Sequence, residues 1–438
     1  SMAKADDGRI GTLIHAADLH LGAPIEGLSR YSDDEYLNDA AVSGLIDRAS
    51  KAFEELVSKT IEKEADILVL AGDIYDGSEN EFRIQDNFRN QMKKLVDAKV
   101  KVFIVHGNHD PQLKERTVLE LPPGVHVFDF GKPKIKKVTL RDGETEIEVA
   151  GVSFETRKEE ENLALRFRDL KPENPNLTVG ILHTNVGGGD THGNYAPCKK
   201  EDLENAPIGY WALGHVHKRT DPPEELPNGG YWAYSGNLQG RSVKPSECEP
   251  KGALEVPIKS GGFGKPSFFS CDTVRFNRVE VDATDLKTQD DVYEEVKEKV
   301  EESRLEENCP VLSRVEIKGR TEAHKDLMKS ELYGNLIGDI RGKFSDDPLE
   351  QGSVLKIDLK TRPSVDIEEW RDSELFVSAL LECLEEFKKG EISLDDVEEE
   401  LNSLSKNKVD KTLVSKNVEY VFDRAQQILI DEWDGRNG

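Results

Sequence analysis

The chain has 438 residues, 36% of them hydrophobic and 33% charged, and 59 basic residues against 86 acidic ones leave a formal charge of −27. That length exceeds what one hydrophobic core usually serves, so two or three domains are expected. The charge excludes capture of a polyanion by net attraction, so any nucleic acid has to be met through local basic patches or bound cations.

Five cysteines (Cys198, Cys248, Cys271, Cys309, Cys383) lie far apart with no CxxC pair. This argues against a disulfide framework or a thiolate zinc site and fits a reducing cytoplasm. No run approaches the roughly 18 apolar residues of a membrane span, and "SMAKADDGRI" lacks the apolar region of a signal peptide. No membrane association is expected.

Strands and helices alternate through the first part of the chain. "RIGTLIHAAD" reads as a strand ending in Asp18, and residues 41–64 as a helix with Leu45, Ala49, Phe53, Leu56 and Val57 on one face. "ADILVLAGD" is a second strand ending in Asp73, residues 82–96 a second helix, and "KVFIVHGNHD" a third strand that stops in Gly107, Asn108, His109 and Asp110. This order predicts a mostly parallel, covered sheet whose ligands gather at the carboxyl ends of its strands. Residues 123–155 alternate apolar and polar with a turn at Asp142-Gly143, as antiparallel hairpins do. "LTVGILH" and "IGYWALGHVH" are further strands, and "GGYWAYSGNLQGR" and "KGALEVPI" are expected to be antiparallel strands facing the first sheet.

From Cys271 the pattern restarts. "VRFNRVEVD", "VLSRVEIKG" and "SVLKIDLK" read as strands separated by helices over residues 290–303 and 323–340, a small α/β domain. Beyond Pro363 the chain reads as helical, with Phe376, Leu380, Leu384 and Phe387 in one stripe, and carries 9 basic and 20 acidic residues, −11 of the total. The boundaries read as 8–271 for the main domain, 272–362 for the small one and 363–438 for the acidic tail.

The polar residues at strand ends form a series: Asp18-x-His20, Gly72-Asp73, Gly107-Asn108-His109-Asp110, His183, and Gly214-His215-Val216-His217. Singly, each has an ordinary reading, as a helix cap, a turn or a satisfied core histidine. Together they hold five of the ten histidines, each at the end of an apolar run. Carboxylate, imidazole and amide oxygen suit manganese, iron or zinc, and so many polar groups at one sheet edge are costly to bury without a cation.

In this order the motifs resemble the signature of the calcineurin-like metallophosphoesterases. "HAADLHLGAPIEGL", "LHTNVGG", "NYAPCKKEDLENAPIGYWALGHVHK" and "YSGNLQGR" are similar to the DNA repair exonucleases, the SbcD-type nuclease subunit and its YhaO-like relatives. The resemblance implies a two-sheet α/β sandwich flanked by helices, with a small α/β capping domain and a helical C-terminal tail. It also implies two divalent cations, Mn2+ first and Fe or Zn as alternatives. One would be held by Asp18, His20, Asp73 and His217, the other by Asp73, Asn108, His183 and His215, with Asp73 bridging. Such a pair activates a water for in-line attack on phosphorus.

His109, next to an expected ligand, is the candidate acid for the leaving 3′ oxygen, with Asp110 as its orienting carboxylate. Asp76 stands where some relatives carry a histidine that helps position substrate. His15 is expected to be packed and His106 to be a core or ligand-supporting residue. Arg241 is expected to clamp phosphate and His192, in a loop near His183, to reach one.

The expected activity is a dimetal-dependent DNA exonuclease or endonuclease in double-strand-break repair. Its expected partners are DNA, an SMC-like coiled-coil ATPase and a second copy of the chain, joined through helices in residues 41–96, in the cytoplasm at the nucleoid. Two alternatives stand beside it: a phosphodiesterase or phosphatase of the same superfamily acting on a small phosphoester, and an inactive scaffold.

Overall fold

A computed structural model describes residues 8–23, 47–76, 82–111, 119–187, 195–305, 307–329, 338–340 and 352–364. His192, residues 41–46 of the first expected helix and nearly all of the acidic tail lie outside the described residues. By internal contacts the chain divides into two units. The first comprises Ser1–Val281, Tyr293–Ile317 and Ser330–Leu359, and the second Asp282–Val292, Lys318–Lys329 and Lys360–Gly438.

The first unit is built on two sheets. One sheet runs β14 (Gly262–Phe263), β13 (Gly252–Lys259), β1 (Arg9–Ala16), β2 (Ile67–Ala71), β3 (Lys101–Val105), β4 (Val125–Val127), with β15 (Ser267–Ser270) also on β13. The other runs β11 (Glu224–Glu225), β12 (Tyr231–Tyr234), β10 (Tyr210–Gly214), β7 (Thr178–His183), β6 (Glu146–Val152), β5 (Lys134–Thr139). A short pair joins β8 (Asn185–Val186) to β9 (Pro197–Cys198). The strands β1, β2, β3 and β4 are parallel, as are β6, β7 and β10. The parallel strands therefore deliver their carboxyl ends to one edge of each sheet.

Alternation along these strands sorts their side chains into three layers. Leu13, Val69, Phe103 and Val105 meet Val149, Val179, Ile181 and Ala212 between the sheets. Ile14, Leu68, Leu70, Val102 and Ile104 face the other way, against the helices α1 (Arg48–Glu62) and α2 (Phe82–Asp97). Helix α1 offers Phe53, Leu56 and Val57 to this layer at helical spacing, and Phe53 stacks on Phe88 of α2 with ring centroids 5.3 Å apart. Burying one such side chain contributes roughly 1.5–3 kcal/mol. On the outer face of the second sheet, Val152, Leu182, Trp211 and Leu213 pack with Phe167 and with Leu203 of α3 (Lys200–Glu204).

The hairpin at Asp142-Gly143 is present as the antiparallel pair β5 and β6. Three expectations need correction. Strand β4 pairs with β3 in parallel instead of joining the hairpins, β12 pairs with β10 in parallel, and β13 lies within the first sheet, antiparallel to β1. Alternating apolar and polar residues report that one face of a strand is buried, and carry no information on which neighbour it meets or in which direction.

A further three-stranded sheet has the order β16 (Arg275–Asp282), β17 (Val311–Thr321), β18 (Ser353–Pro363), with α4 (Gln289–Leu305) between the first two in sequence. Within the second unit, Thr321 bonds to the carbonyl of Leu286 and His324 Nδ1 lies 2.9 Å from Thr361 Oγ1. No helix among the described residues is long and apolar enough to cross a membrane.

Candidate metal centre

The strand ends of the two sheets converge on a cluster of ligand-type side chains. Asp18 and His20 follow β1, Asp73 follows β2, Asn108 and His109 follow β3, His183 ends β7, and His215 and His217 follow β10. The backbone there is unusual. Asp18, His20, Asp73 and His215 all have positive φ, at 53°, 46°, 50° and 103°. Side chains rarely accept this region, and it persists where surrounding structure over-determines it, as at ligand sites.

Close approach is permitted by glycine at two positions. A Cβ on Gly107 would overlap the Asp73 carboxylate and sit 2.7 Å from His183 Nε2, and Gly72, at φ 97°, leaves no room for one against the His183 ring. Gly72 and Gly107 are thus required by the packing of their neighbours.

The ligand atoms fall into three overlapping groups. Asp18, His20 and His217 bring one atom each within 4.8 Å of one another, and so do Asp18, Asp73 and His183, and, on the rim, His20, Asp76 and His109. Asp18 belongs to the first two, and Asp73 Oδ2 lies 3.9 Å from His20 Nε2 and 3.4 Å from His183 Nε2. The other Asp73 oxygen accepts the His109 backbone N–H at 2.9 Å, which leaves Oδ2 to face the cluster. Asn108 Oδ1 is 3.0 Å from His183 Nε2. His215 comes in beside the His183 ring, centroids 5.3 Å apart, and its backbone N–H donates to the Asp18 carboxylate.

Partners behind the cluster fix which nitrogens face it. His183 Nδ1 donates to the Ala71 carbonyl at 2.9 Å, so Nε2 of the neutral ring presents a lone pair to Asn108 Oδ1 and Asp73 Oδ2, both acceptors. His217 Nδ1 donates to Glu247 Oε1 at 2.7 Å, which turns its Nε2 lone pair toward His20 Nε2, 3.0 Å away. Lone pairs facing lone pairs in a buried site are satisfied by a cation or by added protons. The donor set, two carboxylates, an amide oxygen and several imidazoles without a thiolate, fits divalent cations of the manganese, iron and zinc type.

The electrostatics agree. Burial opposes protonation of His183, yet the Asp73 and Asp18 carboxylates outweigh it and raise its pKa to about 9. Burial raises Asp18 to about 6, and drives His20, crowded by His217, well below its usual value. Burial also disfavours an ionised Asp73, but His183 and His20 outweigh it and hold its pKa low.

The rim departs from expectation at one residue. Asp110 does not reach His109. It is fully buried and accepts from the backbone N–H of Ile74, Tyr75 and Gly107 and from His106 Nδ1, tying the loops after β2 and β3 together. His109 and Asp110 lie in the bends after β3, where one turns to the rim and the other into the protein, so adjacency in sequence was a poor guide. The carboxylate on His109 is Asp76, whose Oδ1 lies 2.7 Å from His109 Nδ1. That bond lowers Asp76 to about 2 and raises the His109 pKa.

Arg241 stands on the same carboxylate, Nη2 3.3 Å from Asp76 Oδ2. His15 is fully buried, and His106 supports Asp110. Glu247, which orients His217 and also accepts from Asn237 and from the Arg241 backbone, went unnoticed in the sequence, since nothing in "KPSECEP" marks it. Burial works against its ionisation, but the His217 hydrogen bond and charge outweigh it and bring its pKa to about 2.

A family profile for calcineurin-like phosphoesterase matches residues 11–219, and one for the middle domain of metallophosphoesterase YhaO matches residues 276–362. Metallophosphoesterase YhaO of Bacillus subtilis is 29% identical over 308 residues, 70% of this chain and 72% of that protein. The DNA double-strand break repair protein Mre11 of Methanocaldococcus jannaschii is 24% identical over 340 residues, 76% of this chain and 84% of that protein. Its namesake from Sulfolobus acidocaldarius is 22% identical over 334 residues, 73% of this chain and 78% of that protein.

Proposed function

Because the chain carries a calcineurin-like metallophosphoesterase domain followed by a YhaO middle domain, and is homologous to the YhaO and Mre11 proteins, we propose that it is a dimetal-dependent DNA nuclease. The observation that carries this reading is Asp73 Oδ2, set between His20 and His183, with His109 and Arg241 on the adjoining rim. Asp18, His20, Asp73 and His217 would hold one cation, and Asp73, Asn108, His183 and His215 the other. Two divalent cations, Mn2+ in our reading, supply activation of a water and neutralisation of the phosphate charge when bound.

The chain's own residues do the rest. Arg241 offers a planar, two-pronged donor to a phosphate oxygen. As the water oxygen bonds to phosphorus and the bond to the leaving 3′ oxygen breaks, His109 gives that oxygen a proton. Asp110 locks the two loops that carry Asp73 and Asn108.

Three features support a macromolecular substrate and partners: the Mre11 homology, the YhaO middle domain, and an acidic tail better suited to a protein than to DNA. An SMC-like ATPase, a second copy of the chain and a cytoplasmic, nucleoid-associated site of action belong to the same proposal, as does a His192 contact to phosphate.

The test is incubation of the full chain with Mn2+ and labelled linear duplex, beside bis-p-nitrophenyl phosphate and cyclic dinucleotides. Duplex cleavage is expected, and His109→Ser should abolish it with metal content preserved. Hydrolysis of the small esters alone would replace this reading by a small-substrate phosphodiesterase.

A further inference from the structure

The loop that follows β12, residues 235–241, lies against two ligand-bearing segments of the metal centre. The Leu238 N–H donates to the Asp18 carbonyl at 3.5 Å and the Asn237 N–H to the His217 carbonyl at 3.3 Å. The Asn237 side chain donates to Glu247 Oε2 at 2.8 Å and to the Gln239 carbonyl at 2.9 Å, and the Arg241 N–H reaches the same Glu247 oxygen at 3.0 Å. One short loop is therefore fastened to the segments of Asp18 and His217 and ends on Arg241.

Gln239 turns the other way. Its side chain is buried, at 3% exposure, and both halves of its amide meet backbone groups. Nε2 donates to the Val274 carbonyl at 2.7 Å and to the Gly240 carbonyl at 3.1 Å, while Oε1 accepts the Thr273 N–H at 3.0 Å. Residues 271–274 carry the chain from β15 into β16. Their first half is held by Lys251, whose carbonyl accepts the Cys271 and Asp272 N–H groups and whose buried ammonium donates to the His217 carbonyl at 2.8 Å. Gly240 closes the contact, since a Cβ there would sit 2.6 Å from the Glu247 carbonyl oxygen and 3.4 Å from Phe276 Cδ2 of β16.

We propose that Gln239 is a positioning residue that couples the segment entering β16 to the Arg241 phosphate clamp, so that a phosphate on Arg241 and an ordered segment 271–276 each stabilise the other. Because it takes Arg241 as the clamp, the coupling rests on the phosphodiester reading above. Without the Gln239 amide, the Thr273 N–H and the Val274 carbonyl lose a buried partner, and the loop loses its hold on β16. A coupling of this kind is reciprocal: what phosphate does to the segment, the segment does to phosphate affinity.

Inorganic phosphate is the probe. Its Kd for the full chain loaded with Mn2+ is measured by titration calorimetry for the unaltered protein, Gln239→Met, Arg241→Ala and the double variant, with Mn2+ content and Tm recorded for each. Gln239→Met should keep its Mn2+ and bind phosphate about tenfold more weakly. The double variant should bind no more weakly than Arg241→Ala, because residues acting as one unit are not additive. A purely structural glutamine would lower Tm and leave Kd alone. An unchanged Kd, a loss of Mn2+ in Gln239→Met or additive losses in the double variant would overturn the coupling.

A second measurement needs no variant. Amide hydrogen exchange of the unaltered Mn2+-loaded chain is followed with and without phosphate, and residues 272–276 should gain protection together with residues 236–241. Protection confined to residues 236–241 would overturn the coupling. Absence of phosphate binding would remove the clamp and the coupling with it, whereas phosphate binding and shared protection without hydrolysis of any ester would remove the nuclease reading alone.

Discussion

At Gly107 the chain leaves no space for even a methyl group, because the Asp73 carboxylate and His183 Nε2 occupy it. Gly107→Ala must push β3's end away from the Asp73 carboxylate, an overpacking cost of about 1–3 kcal/mol. The expected result is a lower urea midpoint together with loss of most bound Mn2+. Full metal content in that variant would show that the loop can give way.

The same scale shows where sequence reading reached its limit. Asp18, His20, Asp73, Asn108, His183 and His217 were legible because each ends an apolar run, and the fold brings those ends together. The partner of His109 was not legible. Asp110 is its neighbour in the chain, but Asp76 is its neighbour in space, and that follows from where the loop after β2 passes.

At the scale of elements, the two sheets are joined by more than apolar contact. His15 on β1 bonds across to β10, Nε2 donating to the Leu213 carbonyl at 3.0 Å and Nδ1 lying 2.8 Å from the Tyr210 hydroxyl. Burial lowers the His15 pKa from 6.5 to about 3. The sign follows directly. The folded form refuses a proton that the unfolded chain accepts, so the contribution of neutral His15 is complete above 6.5 and is lost as pH falls toward about 3.

Each unit of pH in that window costs about 1.4 kcal/mol from this one group. Urea unfolding at a series of pH values from neutral downward should therefore show a slope one proton smaller for His15→Gln than for the natural chain. Identical slopes would mean that His15 finds a protonated arrangement in the folded state. Periodicity placed β1 and β10 correctly, but could not show that β12 runs parallel to β10 or that β13 closes the first sheet against β1.

At the scale of the whole molecule, the charge of −27 and the unsatisfied lone pairs at the strand ends point the same way. A cation that binds only the folded chain stabilises it by mass action, about 2.7 kcal/mol at a hundredfold excess over Kd for one site. Added Mn2+ should raise Tm, a chelator should reverse the rise, and Asp73→Asn should remove most of it, because Asp73 Oδ2 lies within 4 Å of both His20 Nε2 and His183 Nε2. An unchanged Tm across a titration of Mn2+ would count against a resident metal pair.

The sequence by itself determined the parallel α/β order, the strand ends and the residue types gathered there, because apolar periodicity and turn chemistry are local properties. Only the tertiary structure decided which carboxylate holds His109, which oxygen of Asp73 faces His20 and His183, and that Glu247 stands behind His217. Those pairings join residues up to 110 apart in the chain, as Asp73 and His183 are, and His20 meets His217 across 197. Contacts of that range are set by how two sheets pack, a property that no stretch of the chain contains alone.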